Sequence, residues 1–346
     1  MRKTGCLTIL ALAAAPAAAF ADIGGADIGR ADIGRTELRG PKFAQPVECV
    51  LGESCFILNL ADADPGKGVA DYTCGPRSYD GHKGTDFALP SHAAMRKGVT
   101  VLAAAPGRVK GRRDGMKDAL YGSEGAPDVS GRECGNGVVI DHGGGWESQY
   151  CHMARGSVTV RTGDKVRMGQ ELGRVGLSGK TQYPHLHLSL RKDGKVVDPF
   201  HPDAAFAAPT KCLSPDLSDG QLWLTPIPYP TGGIASSGFA TDIPNFDEIK
   251  QGDAHVTSFP ANGPALVGWT MVYGPRRGDI LHLRIEGPTG VVGEQKIEIT
   301  KTQVLAFRAF GKKTRTAWPE GMYRLDSWMI RAGRVIDATS TDVVVR

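Results

Sequence analysis

The sequence predicts an all-β protein of short, mainly antiparallel strands, and three observations carry that prediction. Glycine is abundant, at 46 residues, which supplies tight turns and works against long helices. Between the glycines, runs such as "NGVVIDH" and "VTVRTGDKVRMGQELGRVG" are short and rich in β-branched residues, with no helical period. The stretch "HLHLSL" (185–190) alternates strictly between polar residues and leucine, as a strand with one face in a core must.

The elements follow in chain order. Residues 1–21 read as a secretory signal peptide. Arg2 and Lys3 precede an Ala/Leu-rich run that ends in the small-x-small site Ala19-Phe20-Ala21. That run is too short for a bilayer span, and no later segment is apolar enough for one, so no membrane anchor is expected. The unit "ADIGG/ADIGR/ADIGR" opens a stretch at 22–70 read as a repeat tether and lead-in, because five-residue repeats cannot bury a core. Residues 71–200 carry the strand runs above. "NGVVIDH" and "WESQYCH" flank Gly143-Gly144-Gly145 and so predict a hairpin. A Pro/Ala/Ser/Asp-rich linker is read at 201–219. From 220 to 346, "LWLTPI", "ALVGWTMVYG", "ILHLRIEG", "VLAFRAFG" and "GMYRLDSWMI" are apolar runs of strand length. They predict a β-sandwich, with the immunoglobulin-like class as the form to compare. No titratable cluster stands out in that half, which reads as an accessory domain.

Composition narrows the partners. A net charge of +4, with no long run of Lys or Arg, gives no track for a nucleic-acid backbone. Export explains the cysteines. Cys6 falls in the leader, leaving Cys49, Cys55, Cys74, Cys134, Cys151 and Cys212. In an oxidising compartment these are expected as disulfides. The spacing favours Cys49–Cys55 and Cys134–Cys151, which leaves Cys74 with Cys212.

Three short patterns could carry chemistry. In the strand "HLHLSL", His185 and His187 share a face about 7 Å apart, and two imidazoles so placed can converge on one ion and its substrate. In "GHKGTDFALP" (81–90), His82 and Asp86 would lie about 13 Å apart on a straight strand. A turn through Lys83-Gly84-Thr85 would fold Asp86 back toward His82. In "QYCHM", His152 could join the other three if it shares a face with Tyr150. Each pattern alone also fits surface or turn residues. H-E-x-x-H and G-x-S-x-G are absent from the chain.

Taken in order, H-x-x-x-D, Y-x-H and H-x-H, with "GNGVVIDHG" and "GDKVRMGQELGRVG" between them, resemble the lysostaphin/LytM-type zinc metalloendopeptidases. These enzymes cut peptide cross-links in bacterial peptidoglycan. The resemblance covers residues from about 72 to 200. It implies a LytM-type antiparallel peptidase domain (the duplicated hybrid motif), with Zn2+ held by His82, Asp86 and His187. Two imidazoles and one carboxylate leave a fourth tetrahedral position open for water. The resemblance further implies that His152 and His185 are the catalytic, non-ligating pair, handling the water's proton and the developing oxyanion. Peptidoglycan would be the partner, and the periplasm or the exterior the location. Other readings are a wall-binding or wall-hydrolase-activating module that turns nothing over, or a secreted bacteriolytic protease cutting glycine-rich peptides. Tyr183 and Leu188 stand where family members often have a glycine and an aromatic, and are expected to affect groove shape. His142 reads as a turn residue.

Overall fold

The computed structural model describes residues 40–202, 212–216 and 219–346. The leader and the ADIG repeat lie outside the described residues, as does part of the linker read at 201–219. In chain order the first part runs β1 (Phe56–Asn59), β2 (Thr85–Ala88), a short helix α1 (His92–Arg96), β3 (Thr100–Leu102), β4 (Gly107–Arg113) and β5 (Asn136–Gly143). It continues through β6 (Trp146–Met153), β7 (Lys165–Val166), β8 (Glu171–Arg174), β9 (His185–Lys192) and β10 (Lys195–Val197). One sheet has the order β1-β2-β9-β6-β5-β4-β7, with β10 on β9, and β3 pairs with β8 separately.

The expected hairpin is β5–β6. Its turn holds Gly143, Gly144 and Gly145 at φ of 80, 57 and 79°, a conformation that only glycine adopts without strain. The alternation in β9 sorts its side chains as read: Leu186, Leu188 and Leu190 are fully buried beside Phe87, Ile140 and Tyr150. Leu188 therefore belongs to the core and does not shape a groove. The three disulfides join Cys49–Cys55, Cys74–Cys212 and Cys134–Cys151, the pairing expected from the spacing. They place the protein in an oxidising compartment.

The C-terminal part comprises β11 (Gly233–Ala240), helix α2 (Phe246–Gln251), β12 (Ser258–Phe259), β13 (Ala265–Tyr273), β14 (Ile280–Gly287) and β15 (Gly290–Glu298). The last strands are β16 (Leu305–Lys313), β17 (Gly321–Arg331) and β18 (Arg334–Val345). Two sheets result, β11-β13-β16 and β12-β18-β17-β14-β15. Leu266 and Val272 of the first sheet share one core with Leu283, Leu325 and Val343 of the second. Four of the five apolar runs become β13, β14, β16 and β17. "LWLTPI" does not become a strand: Trp223 makes one isolated bridge to Phe43, and Leu222, Trp223 and Ile227 complete the core of the first part. Helix α2 was not read from the sequence. Its local signals are an Asn245/Glu248 capping box and a left-handed Gly252 at its end. Among the described residues, no helix is long and apolar enough to cross a membrane.

The two β parts meet over a third apolar cluster. Phe56, Leu58, Ala88 and Tyr183 pack there with Ile249, Trp269, Met271 and Tyr273. Phe56 stacks on Tyr273 with ring centroids 4.4 Å apart. The guanidinium of Arg77, 3% exposed, lies 5.3 Å from the centre of the same ring and donates to the carbonyl of Ile57. Burial pushes the pKa of Arg77 down to about 10. The described residues form one compact body.

Candidate metal centre

The site lies where β2 and β9 pair side by side. Their register sets Asp86 opposite His187 and Ala88 opposite His185, so the H-x-H alternation and the acid of H-x-x-x-D meet without any long loop. His82 arrives from the bend before β2. Gly84 makes that bend possible by close approach: a Cβ there would stand 2.3 Å from the carbonyl oxygen of Leu188 and 2.8 Å from Nε2 of His187.

Three donors converge. His82 Nε2 is 3.1 Å from Asp86 Oδ1 and 3.1 Å from His187 Nδ1, and His187 Nδ1 is 2.9 Å from Asp86 Oδ1. An ion held tetrahedrally with bonds near 2.0–2.1 Å needs its ligand atoms about 3.3 Å apart. The observed triangle is close to one face of that figure. Among the described residues, His82, Asp86 and His187 are the group whose ligand atoms can hold one metal ion. The donor set of two imidazoles and one carboxylate fits a catalytic metal, because it leaves a position open.

The second contacts of these ligands fix their orientation. His82 Nδ1 donates to the carbonyl of Leu60 at 2.6 Å, which commits that ring's Nε2 lone pair to the centre. Asp86 Oδ2 accepts from Asn59 Nδ2 at 2.9 Å, leaving Oδ1 for the histidines. Tyr79 stacks on His82 with centroids 4.4 Å apart. Sequence reading missed Asn59, Leu60 and Tyr79. A backbone carbonyl leaves no trace in residue type, and Asn59 reaches Asp86 through a bulge in the β1–β2 pairing.

His152 and His185 sit beside this triangle. His185 Nε2 is 3.5 Å from Asp86 Oδ1, and its Nδ1 donates to the carbonyl of Tyr183 at 2.8 Å. His152 Nδ1 donates to the carbonyl of Ser178 at 2.8 Å, and its ring centre is 4.7 Å from that of His185. Both residues therefore keep Nε2 for the cleft. Tyr150 and His152 do not share a face in the way the sequence suggested. Tyr150 is fully buried in the core, where its hydroxyl accepts from the amide of Ala104 and from Ser148. By strand parity His152 would follow it inward. A bulge in the β5–β6 pairing and a left-handed backbone at His152 (φ 63°) accompany its turn to the site. Bulges and such strained φ values cluster at functional sites because they re-aim a side chain.

Charge follows this geometry. Burial opposes ionisation of Asp86, but the charges of His82 and His185 and the hydrogen bonds from His187 and His82 hold its carboxyl well below the usual range. Burial, helped by His185 and His187, pushes the His152 imidazole well down. Burial also pulls on His82, yet Asp86 outweighs it and the imidazole is raised. His142 stands apart, within β5, bonded to the carbonyl of Pro106 and the hydroxyl of Ser148.

Residues 80–199 match the family model of Peptidase family M23. DD-carboxypeptidase/endopeptidase Mpg of Neisseria meningitidis serogroup B is 32% identical over 120 residues, 34% of this chain and 22% of that protein. Peptidoglycan DD-endopeptidase ShyA of Vibrio cholerae serotype O1 is 32% identical over 117 residues, with the same shares of 34% and 22%. The chain thus spans about a fifth of the length of these relatives. A zinc-containing peptidase of known structure from Vibrio cholerae is 24% identical over 45% of this chain and 39% of that one, with a TM-score of 0.32. This chain carries, at residues 80–199, a domain of Peptidase family M23, the lysostaphin/LytM-type metallopeptidases.

Proposed function

We propose that this protein is a zinc-dependent endopeptidase that hydrolyses amide cross-links of peptidoglycan in the periplasm or outside the cell. The observation that carries the proposal is the convergence of His82 Nε2, Asp86 Oδ1 and His187 Nδ1 within about 3 Å of one another, inside the segment that matches the peptidase family. The curated relatives named DD-endopeptidases support cross-links between D-amino acids as the substrate. The disulfides support export.

In this reading His82, Asp86 and His187 hold Zn2+. When bound, such an ion polarises a carbonyl and lowers the pKa of a water molecule. His152 and His185 do the proton work. Each has Nδ1 tied to a backbone carbonyl, so Nε2 is the atom that meets substrate. One imidazole takes the proton of the attacking water and returns it to the leaving amine as the C–N bond breaks. The other donates a hydrogen bond to the oxygen that gains charge. The C-terminal sheets are read as an immunoglobulin-like sandwich, a reading supported by the strand orders β11-β13-β16 and β12-β18-β17-β14-β15.

The test is digestion of purified sacculi, with and without a chelator, followed by analysis of released muropeptides and new amine termini. New amine termini that vanish with chelator and return with zinc are expected. Binding to sacculi without new termini would leave the wall-binding module. Cleavage of glycine-rich peptides but not of sacculi would leave the bacteriolytic protease.

A further inference from the structure

The C-terminal β part reads from its sequence as an accessory piece, yet it contributes one wall of the cleft at the metal centre. A cleft of about 630 Å³ is lined on one side by Asp86 and His185 of the site, and on the other by Phe246 and Lys250 of α2 and by Val304 and Leu305 at the start of β16. This wall is held firmly. Phe246 stacks on Phe307 with centroids 5.6 Å apart. Arg96 of α1 donates to the side chain and the carbonyl of Gln251 at 3.3 Å, tying α2 to the peptidase sheet. Below it lies the apolar cluster that contains Ile249 and Tyr183. Tyr183 also donates its hydroxyl to Pro90 and offers its carbonyl to His185, so the wall and a site histidine rest on the same residue.

The charge of the cleft is one-sided. Asp86, committed to the histidines, is the one carboxylate among the described residues that line it, whereas Lys180 and Lys250 both face it. The Lys250 ammonium lies 5.0 Å over the Phe246 ring and 2.7 Å from the exposed carboxylate of Asp247, which is not among the lining residues and partly offsets the lysine charge. Val304, 45% exposed, adds apolar surface.

We propose that this wall is a substrate subsite, with Lys250 as a specificity-determining residue for cross-linked peptides that carry free carboxylates. The proposal rests on the peptidoglycan endopeptidase reading above. The peptide lies between the metal centre and the α2–β16 wall, its chain against Phe246 and Val304 and a carboxylate on Lys250. A cation near an apolar, part-shielded wall attracts such a group more strongly than one in open water.

The experiment uses the full chain and two soluble cross-linked muropeptide dimers, one with free carboxylates and one with those groups amidated. For Lys250→Gln, KM for the acidic dimer should rise roughly two- to fivefold, the scale of a partly exposed ion pair. The amidated dimer should be cut as by the unmodified protein, and metal content should be unchanged. Asp247→Asn, which frees the Lys250 charge, should shift KM for the acidic dimer the opposite way. Equal KM ratios across the three proteins would overturn the proposal. To separate it from the activity, binding of the acidic dimer is measured by calorimetry in His152→Ala and in His152→Ala/Lys250→Gln. Weaker binding in the double variant, with no cleavage of either dimer by the unmodified protein, would retain the subsite and remove the endopeptidase reading. Cleavage together with unchanged binding would do the reverse.

Discussion

Asn59 offers the sharpest test of how the metal centre is supported. Its amide donates to Asp86 Oδ2 at 2.9 Å from a position only 7% exposed, and this contact reserves Oδ1 for the three histidines. Asn59→Ala deletes the donor without touching a proposed ligand. A buried carboxylate oxygen then loses a partner, a loss of about 1–3 kcal/mol when nothing replaces it. Part of that loss is relieved as the carboxylate rotates, and the rotation moves Oδ1 out of the triangle. Removal of such outer contacts typically costs 10–100-fold in metal affinity, or about 1.4–2.7 kcal/mol. The assay is competition for zinc against a chromophoric chelator near neutral pH, with urea unfolding of the metal-free protein as the control. A rise of Kd within that range, larger than any loss of metal-free stability would explain, is expected. An unchanged zinc Kd would refute the view that Asn59 positions Asp86.

Four further outcomes are expected. Replacing His82, Asp86 or His187 by Ala should abolish stoichiometric zinc, measured by mass spectrometry of the native protein. His152→Ala and His185→Ala should retain the metal and lose activity by about 10²–10⁴; loss of metal from His152→Ala with retention by His82→Ala would reverse the assignment. Gly84→Ala forces a methyl to within 2.3 Å of the Leu188 carbonyl, so β2 and β9 must part. A stability loss of about 1–3 kcal/mol in urea unfolding is expected, together with weaker zinc binding. Asp198 is buried, and burial raises its carboxyl pKa to about 7. The folded state therefore keeps a proton that the unfolded chain releases near pH 4. Stability of the metal-free protein should fall as pH rises from about 4 to 7 and then level off, by up to about 4 kcal/mol from this group. Asp198→Asn should flatten that slope, and an unaltered slope would exclude Asp198 as its source.

What could be read without coordinates was local. The parity of a strand puts His185 and His187 on one face whatever surrounds them, and Leu186, Leu188 and Leu190 necessarily take the other. The Gly143–Gly145 turn, the pairing of close cysteines and the run lengths of β13, β14, β16 and β17 are similarly short-range. The order H-x-x-x-D, Y-x-H, H-x-H carried the site through its resemblance to the lysostaphin/LytM-type family, since each pattern alone also fits surface or turn residues. Where parity was interrupted, the same reasoning failed: His152 reaches the site through a bulge and a left-handed backbone that no side-chain pattern announces.

Other features depended on the meeting of distant segments. The carbonyls of Leu60, Ser178 and Tyr183 select the histidine tautomers, and any residue type would supply a carbonyl. Asn59 becomes a partner of Asp86 only through the register of β1 on β2. Leu188, which comparison with the family's pattern marked as a groove residue, lies in the core, where the strand alternation puts it. Helix α2 and the start of β16 become a cleft wall because Phe56, Tyr183 and Tyr273 bury one another across the two β parts. The sequence by itself determined, through the order of its motifs and the family they resemble, which residues can bind a metal, and through a two-residue repeat that His185 and His187 share one face of their strand. Only the tertiary structure decided which backbone groups hold them and what closes the cleft, because those contacts are set by packing between segments far apart in the chain.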